Sequence, residues 1–403
     1  LGETDSSFSV QNVGTSEGVL KKQTFRSAQL LGDAYAQLVW LPVGRNELEL
    51  TWQVILTSRV RPEMYLLLVN VETGAIRLRR CLTEYITPAT YNVYTSDSPS
   101  PFSPGSPSPA GFQPSVVSRT LVTLTALNTN ASPNGWINDG DNTTVGNNVH
   151  AHLDRNNDNA PDLPLPTGNP NRVFDFPLDL GSSPVAYGDA AVVNLFYWNN
   201  VCHDRLYELG FTEAFGNFQN DNFGRGGVGN DAVRADAQDG GGVNNANFSA
   251  PPDGIPGRMQ MYLFTGPNPD RDGSLDAEVM IHEYVHGLSN RLLGGGAGIT
   301  ALQTRGMGEG WSDFYALSLL SEPTDDPRGV YATGGYLTYQ LGTGFQDNYY
   351  FGIRRYPYST DMLKNPLTLK DIDPTRADLH AGVPINPVFG GGFADEVHNQ
   401  GEV

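Results

Sequence analysis

The sequence predicts an α+β protein, a small β-rich domain followed by a larger body that combines a sheet with buried helices. Three observations predict it. Short apolar runs rich in Val, Leu, Tyr and Trp between Ala36 and Thr83 read as strands. Two longer stretches, Ala190 to Leu209 and Asp276 to Leu293, carry helix formers with apolar residues at helical spacing. The 46 glycines and 28 prolines among 403 residues demand many loops, which excludes a bundle of long helices. Such a length exceeds one small core, and the divisions fall at residues 1–86, 87–115 and 116–403.

Charge narrows the partners. The formal net charge is −19, and lysine occurs only at Lys21, Lys22, Lys364 and Lys370. A field of that sign repels phosphate, so neither nucleic acid nor an anionic membrane is an expected partner, and cation binding is favoured. No apolar run reaches the roughly 18 residues of a membrane-spanning helix. Cys81 and Cys202 make no disulfide framework; a single pair could form, and two unpaired thiols are the reading preferred.

Residues 1 to about 30 are polar and weakly patterned. The runs Gln37–Leu41, Leu48–Ile55, Tyr65–Val71 and Ala75–Leu78, the last two joined by a turn at Glu72-Thr73-Gly74, form an antiparallel meander with no catalytic cluster. From Ser96 to Pro114 repeated proline forbids helix or central strand, so residues 87–115 read as an extended arm or a linker. Loops follow at Asn138–Asn142 and Asp154–Asp162. Their alternating oxygen side chains suit calcium, with Asp154, Asn156, Asp158 and Asp162 as candidates; a solvated Asx-turn loop fits the same residues.

Ala190–Leu209 is a helix with Leu195, Trp198 and Leu206 among its core positions. His203 lies on it and reads as packed or hydrogen-bonded; His150, His152 and His380 show no ligand pattern. Arg258–Phe264 alternates as a strand, beneath a further strand near Asn244–Phe248.

The stretch that carries chemistry is His282-Glu283-Tyr284-Val285-His286. Four residues apart on a helix, His282 and His286 share a face and can ligate one metal ion, while Glu283 stands beside it as a base for water. Ser274 or Asp276 caps the helix, and Gly294-Gly295-Gly296 stops it. A catalytic zinc takes three protein ligands. Gly308–Leu317 starts a second helix, with Glu309 in its first turn as the third ligand. Asp313, four residues on, can accept the free N–H of a ligating histidine.

This pattern, His282-Glu283-x-x-His286 with Glu309-x-x-x-Asp313, resembles the zinc site of thermolysin-type metallopeptidases. The wording from His282 to Leu292 and from Gly308 to Phe314 narrows the resemblance to the fungalysin family of secreted zinc endopeptidases. Similar runs are Asn194–Asn200 with His203-Asp204, Gly216–Gln219, Asn222–Gly227 and Pro251–Gly254, so the resemblance extends from about Thr87 to Val403.

The resemblance implies a thermolysin-like zincin domain with a β-rich N-terminal lobe and a helical C-terminal lobe that continues beyond Val403. Zinc is implied at His282, His286 and Glu309, with Glu283 as general base and His398, in Asp395–Gly401, as hydrogen-bond donor to the oxyanion. No tyrosine matches the relatives' assisting one, though Tyr284 and Tyr315 lie near the zinc motifs. Asn245 and Ala246 would hold the backbone of a protein or peptide substrate added as a strand. The meander resembles the end of a pro-region, a chaperone and inhibitor removed near Tyr85 to Ala89; an accessory β-domain that stays attached is the other reading. Secretion to the extracellular space, with the leader removed, follows from the family. From another class, a catalytically silent peptidase-like scaffold that binds peptide remains open. A zinc hydrolase of small molecules suits the substrate strand less well.

Overall fold

The computed structural model describes every residue except 1–8, 60–62, 83–86, 103–107, 110–114, 139, 339–349, 374, 377–379 and 388–395, together with the side chain of Cys81. Tyr85 and Ile86 of the expected cleavage stretch, much of the Pro/Ser arm, Asp139 and Asp395 therefore lie outside the described residues. The chain forms two compact units, Leu1–Tyr85 and Ile86–Val403.

The first unit is one antiparallel sheet in sequence order: β1 (Gln11–Thr15), β2 (Gln23–Arg26), β3 (Ala34–Gly44), β4 (Glu47–Thr57), β5 (Met64–Asn70) and β6 (Ile76–Cys81). The meander is as expected, but β1 and β2 extend it into the stretch read as unpatterned. Every residue of β1 is exposed, so no apolar alternation marks it, and backbone pairing to β2 with one side-chain hydrogen bond from Asn12 to Gln23 at 3.3 Å holds it. The β5–β6 turn closes on Asn70, whose Oδ1 accepts the N–H of Glu72 at 2.9 Å and of Thr73 at 2.6 Å.

The second unit begins with β7 (Ala89–Val93), inside the range read as arm or linker. It is a buried strand between β8 (Thr120–Leu124) and the short β10 (Val173–Phe174), which corrects that boundary. What is described of the arm lies on this unit: the Pro99 carbonyl accepts the Ala277 N–H at 3.0 Å, and the Arg271 guanidinium stands 4.8 Å over the Phe102 ring.

A second sheet has the order β12 (Ala246–Ser249), β13 (Arg258–Met261), β11 (Val233–Ala237), β9 (Val149–Leu153). The last three run parallel to one another, and β12 runs antiparallel to β13 on the edge. The Arg258–Phe264 run is thus two strands, with β14 (Leu263–Phe264) turning to pair with β15 (Arg271–Asp272), and β13 lies beside β12 rather than beneath it. Helix α1 (Gly188–Glu208) packs on β7, β9, β11 and α2 (Ala277–Leu292), and Leu195, Trp198 and Leu206 are buried in that core. Apolar residues surround α1 on nearly all sides because it is buried on nearly all sides. Beyond α2 come α3 (Leu302–Leu320), the short α4 (Gly335–Thr338) and α5 (Val397–Gly401). No helix among the described residues is long and apolar enough to cross a membrane.

Candidate metal centre

Helix α2 starts where the sequence offers two caps, and Asp276 is the one used: its Oδ1 accepts the N–H of Glu278 at 3.1 Å and of Val279 at 3.4 Å. The helix ends at Leu292, before Gly294, Gly295 and Gly296 at φ of +74°, +59° and +97°. Its last turn is anchored by Arg291, which is buried with Nη1 2.8 Å from Asp231 and 2.9 Å from the Gly216 carbonyl.

The two histidines meet on one face, with His286 Nε2 3.0 Å from His282 Nε2. Glu309 closes the triangle, its Oε2 3.2 Å from each ring nitrogen. Two imidazole nitrogens and a carboxylate oxygen this close could hold a cation at their centre. Zinc bonds of about 2.0–2.2 Å in a tetrahedron set donor atoms roughly 3.3–3.5 Å apart, so the residues fit a zinc ion.

Glu309 comes from α3, but not from its first turn. The helix begins six residues before Gly308, at Leu302. Gly306, Gly308 and Gly310 argue against helix locally, yet two of them are contact points: a Cβ on Gly306 would lie 2.6 Å from Gln400 Cβ, and one on Gly310 2.6 Å from the Gly401 carbonyl. The glycines let α5 lie against α3. That contact brings in His398, whose Nε2 is 3.3 Å from Glu309 Oε2 while its Nδ1 is 2.8 Å from Glu396.

Asp313 is buried, with Oδ1 2.6 Å from His282 Nδ1. The same carboxylate receives Arg354 Nε at 2.6 Å, Arg354 Nη2 at 2.8 Å and the Tyr358 hydroxyl at 2.5 Å. Arg354, Tyr358 and Glu396 were missed at the level of sequence. Only Glu396 left a local signal, a carboxylate two residues before a site histidine.

Electrostatics follow these contacts. Burial raises the Glu283 carboxyl, and the neighbouring His282 and His286 imidazoles oppose it, with a net upward shift. Burial alone would raise Glu309, but hydrogen bonds from His282 and His286 hold it well below the usual carboxylate range. Asp313 is likewise pulled down against burial, mainly by Arg354. Burial lowers the His282 imidazole, and Asp313 more than offsets that, raising it to about 9; a cation at Nε2 competes with that proton.

The candidate substrate strand adjoins this helix. A Cβ on Gly287 would stand 2.6 Å from the Phe248 ring, so β12 reaches α2 one residue after His286. Ala246 opens β12, and Asn245 precedes it. Tyr284 does not enter the site: it is buried against Phe218 and Phe248, with ring centroids at 5.9 and 6.0 Å. Tyr315 packs against the hydrophobic core instead.

Of the calcium candidates, Asp154, Asp158 and Asp162 do not together form one of the acidic or histidine clusters that could hold a metal ion among the described residues. Asp154 is buried, and its carboxylate takes the N–H of Asp158 at 3.0 Å, of Asn159 at 3.1 Å and Arg258 Nη2 at 3.0 Å. Asp162 accepts the Arg155 N–H at 3.0 Å, and Asn156 bonds Asp158 at 3.1 Å. Asp236 and Asp239 join Asp154 in a buried acidic cluster bridged by the single cation of Arg258. The other histidines have partners: His203 with Asp204 and Gln219, His152 with Asp236, His380 with Asp371, His150 with Asn220. Cys202 is a free, buried thiol.

The family model described as Fungalysin metallopeptidase (M36) matches residues 109–385. An extracellular metalloproteinase, mep, of Aspergillus niger is 39% identical over 390 residues, covering 93% of this chain and 56% of its own length. Extracellular metalloproteinase 1 of Arthroderma otae is 39% identical over 345 residues, covering 84% of this chain and 50% of its own. For the extracellular metalloproteinase of Pyrenophora tritici-repentis the figures are 41% over 348 residues, 84% and 49%. The chain spans about half the length of these relatives. It belongs to the fungalysin metallopeptidase family.

Proposed function

We propose that this chain carries the zinc site of a secreted endopeptidase that cleaves extracellular proteins, preceded by a pro-region-like β-domain. The observation that carries the reading is the triangle of His282, His286 and Glu309, with donor atoms 3.0 to 3.2 Å apart.

Zinc held there would supply Lewis acidity to a scissile carbonyl and to water. Glu283, next to the ligands and with its carboxyl raised by burial, takes the proton of the attacking water and passes it to the leaving amine. His398 donates from Nε2 to the developing oxyanion. Asp313 accepts the His282 Nδ1–H and so leaves the Nε2 lone pair for the metal. Substrate adds as a strand along β12, with Asn245 and Ala246 at its backbone; the place of β12 on the sheet edge beside α2 supports this.

The pro-region reading draws support from the compactness of the first unit and from the Aspergillus niger relative, whose match covers 93% of the chain and so extends into that unit. The partners of Asp154, Asn156, Asp158 and Asp162 support an Asx-turn loop, and no calcium enters the proposal.

Metal analysis with casein hydrolysis, before and after limited proteolysis between the two units, tests the reading. One zinc per chain and chelator-sensitive activity after the cut are the expected results. Zinc without turnover would favour the silent peptide-binding scaffold, and absence of zinc would end the proposal.

A further inference from the structure

A single hydroxyl completes the set of groups that grip Asp313. Its carboxylate accepts four hydrogen bonds: one from His282, two from the fork of Arg354, and one from Tyr358. The fork, Nε to Oδ2 and Nη2 to Oδ1, fixes the carboxylate within the guanidinium plane but restrains its rotation out of that plane less, and such rotation moves Oδ1 relative to His282. The Tyr358 hydroxyl, 2.5 Å from Oδ2, closes that freedom.

Tyr358 is itself pinned. Its backbone exchanges two hydrogen bonds with Tyr331, N to O at 2.8 and 3.1 Å, and the Arg354 carbonyl accepts Asn386 Nδ2 at 2.9 Å. The segment from Arg354 to Tyr358 is thus tied to the body at both ends and aims two side chains, four residues apart, at one carboxylate. Both are far from Asp313 in sequence, at separations of 41 and 45 residues. Two cavities of about 550 and 980 Å³ flank α3, and Tyr358 lines both. The hydroxyl bonds Asp313.

We propose that Tyr358 is a positioning residue of the metal centre, acting through Asp313 to hold the His282 imidazole in its metal-binding orientation. This rests on the reading of His282, His286 and Glu309 as zinc ligands. Partners of ligating histidines are typically worth about 10- to 100-fold in metal affinity. A group one bond further out is expected near the lower end.

The test is zinc affinity of the whole chain, by competition with a chromogenic chelator at fixed pH, together with its unfolding midpoint. Tyr358→Phe removes one oxygen and is expected to weaken zinc binding roughly tenfold. Arg354→Lys keeps the charge, loses the fork and should act in the same direction, which covers failure of the first variant to fold. Tyr331→Phe, whose hydroxyl bonds the Asp326 carbonyl, is the control and should leave affinity unchanged. Affinity of Tyr358→Phe within about twofold of the parent, even with a lowered unfolding midpoint, overturns the proposal. So does equal weakening in the Tyr331 control. A parent chain that holds no zinc overturns this proposal together with the reading beneath it.

Discussion

His398 stands with Nε2 3.3 Å from Glu309 Oε2, although 89 residues separate them and α5 is only five residues long. What holds it there is Arg355, whose Nε is 2.8 Å from Glu402 Oε2 and whose N–H is 2.9 Å from Glu402 Oε1, with a further bond to the Asn399 carbonyl. His398→Ala should retain zinc and lose about 10²- to 10³-fold in kcat, the range for removing one oxyanion donor. Zinc content and steady-state kinetics on the same preparation check this, and unchanged kcat would remove His398 from the mechanism.

Glu283→Gln keeps the shape and removes the base. Zinc should stay bound, since Glu283 is not in the ligand triangle, and turnover should fall by at least about 10²-fold. A zinc-loaded variant with near-parent kcat would sink the mechanism.

Gly310→Ala tests the helix contact that delivers His398. The new Cβ would lie 2.6 Å from the Gly401 carbonyl, a backbone atom that moves only if α5 moves. Overpacking of this kind costs about 1–3 kcal/mol. The expected result is a lowered unfolding midpoint and a kcat loss resembling that of His398→Ala, with zinc retained.

Asp313 links stability to pH. Its folded carboxyl is held below the ordinary range by Arg354, despite burial. A depressed folded pKa stabilises the protein above the unfolded value of about 3.9, and this contribution disappears as pH falls further through the folded value. Unfolding midpoints measured from neutral pH to pH 3 should therefore drop less steeply in Asp313→Asn than in the parent. At neutral pH Asp313→Ala should cost about 3–5 kcal/mol, because Arg354 is left buried without its partner. Parallel pH curves for parent and Asp313→Asn would refute the assignment.

Sequence alone determined helix α2 and what it offers. The four-residue spacing of His282 and His286, a cap at Ser274 or Asp276 and the glycine stop are local, and local hydrogen bonding with helical periodicity is legible one turn at a time; the structure chose Asp276. Glu309 and Asp313 were legible for the same reason, as a four-residue pair on the next helix. Only the tertiary structure decided where that helix starts, because Gly306 and Gly310 argue against helix until α5 lies on them. It alone added β1 and β2, strands without apolar alternation. It alone brought Arg354 and Tyr358 to Asp313, since a buried carboxylate draws donors from wherever the chain returns, and periodicity carries no record of that return.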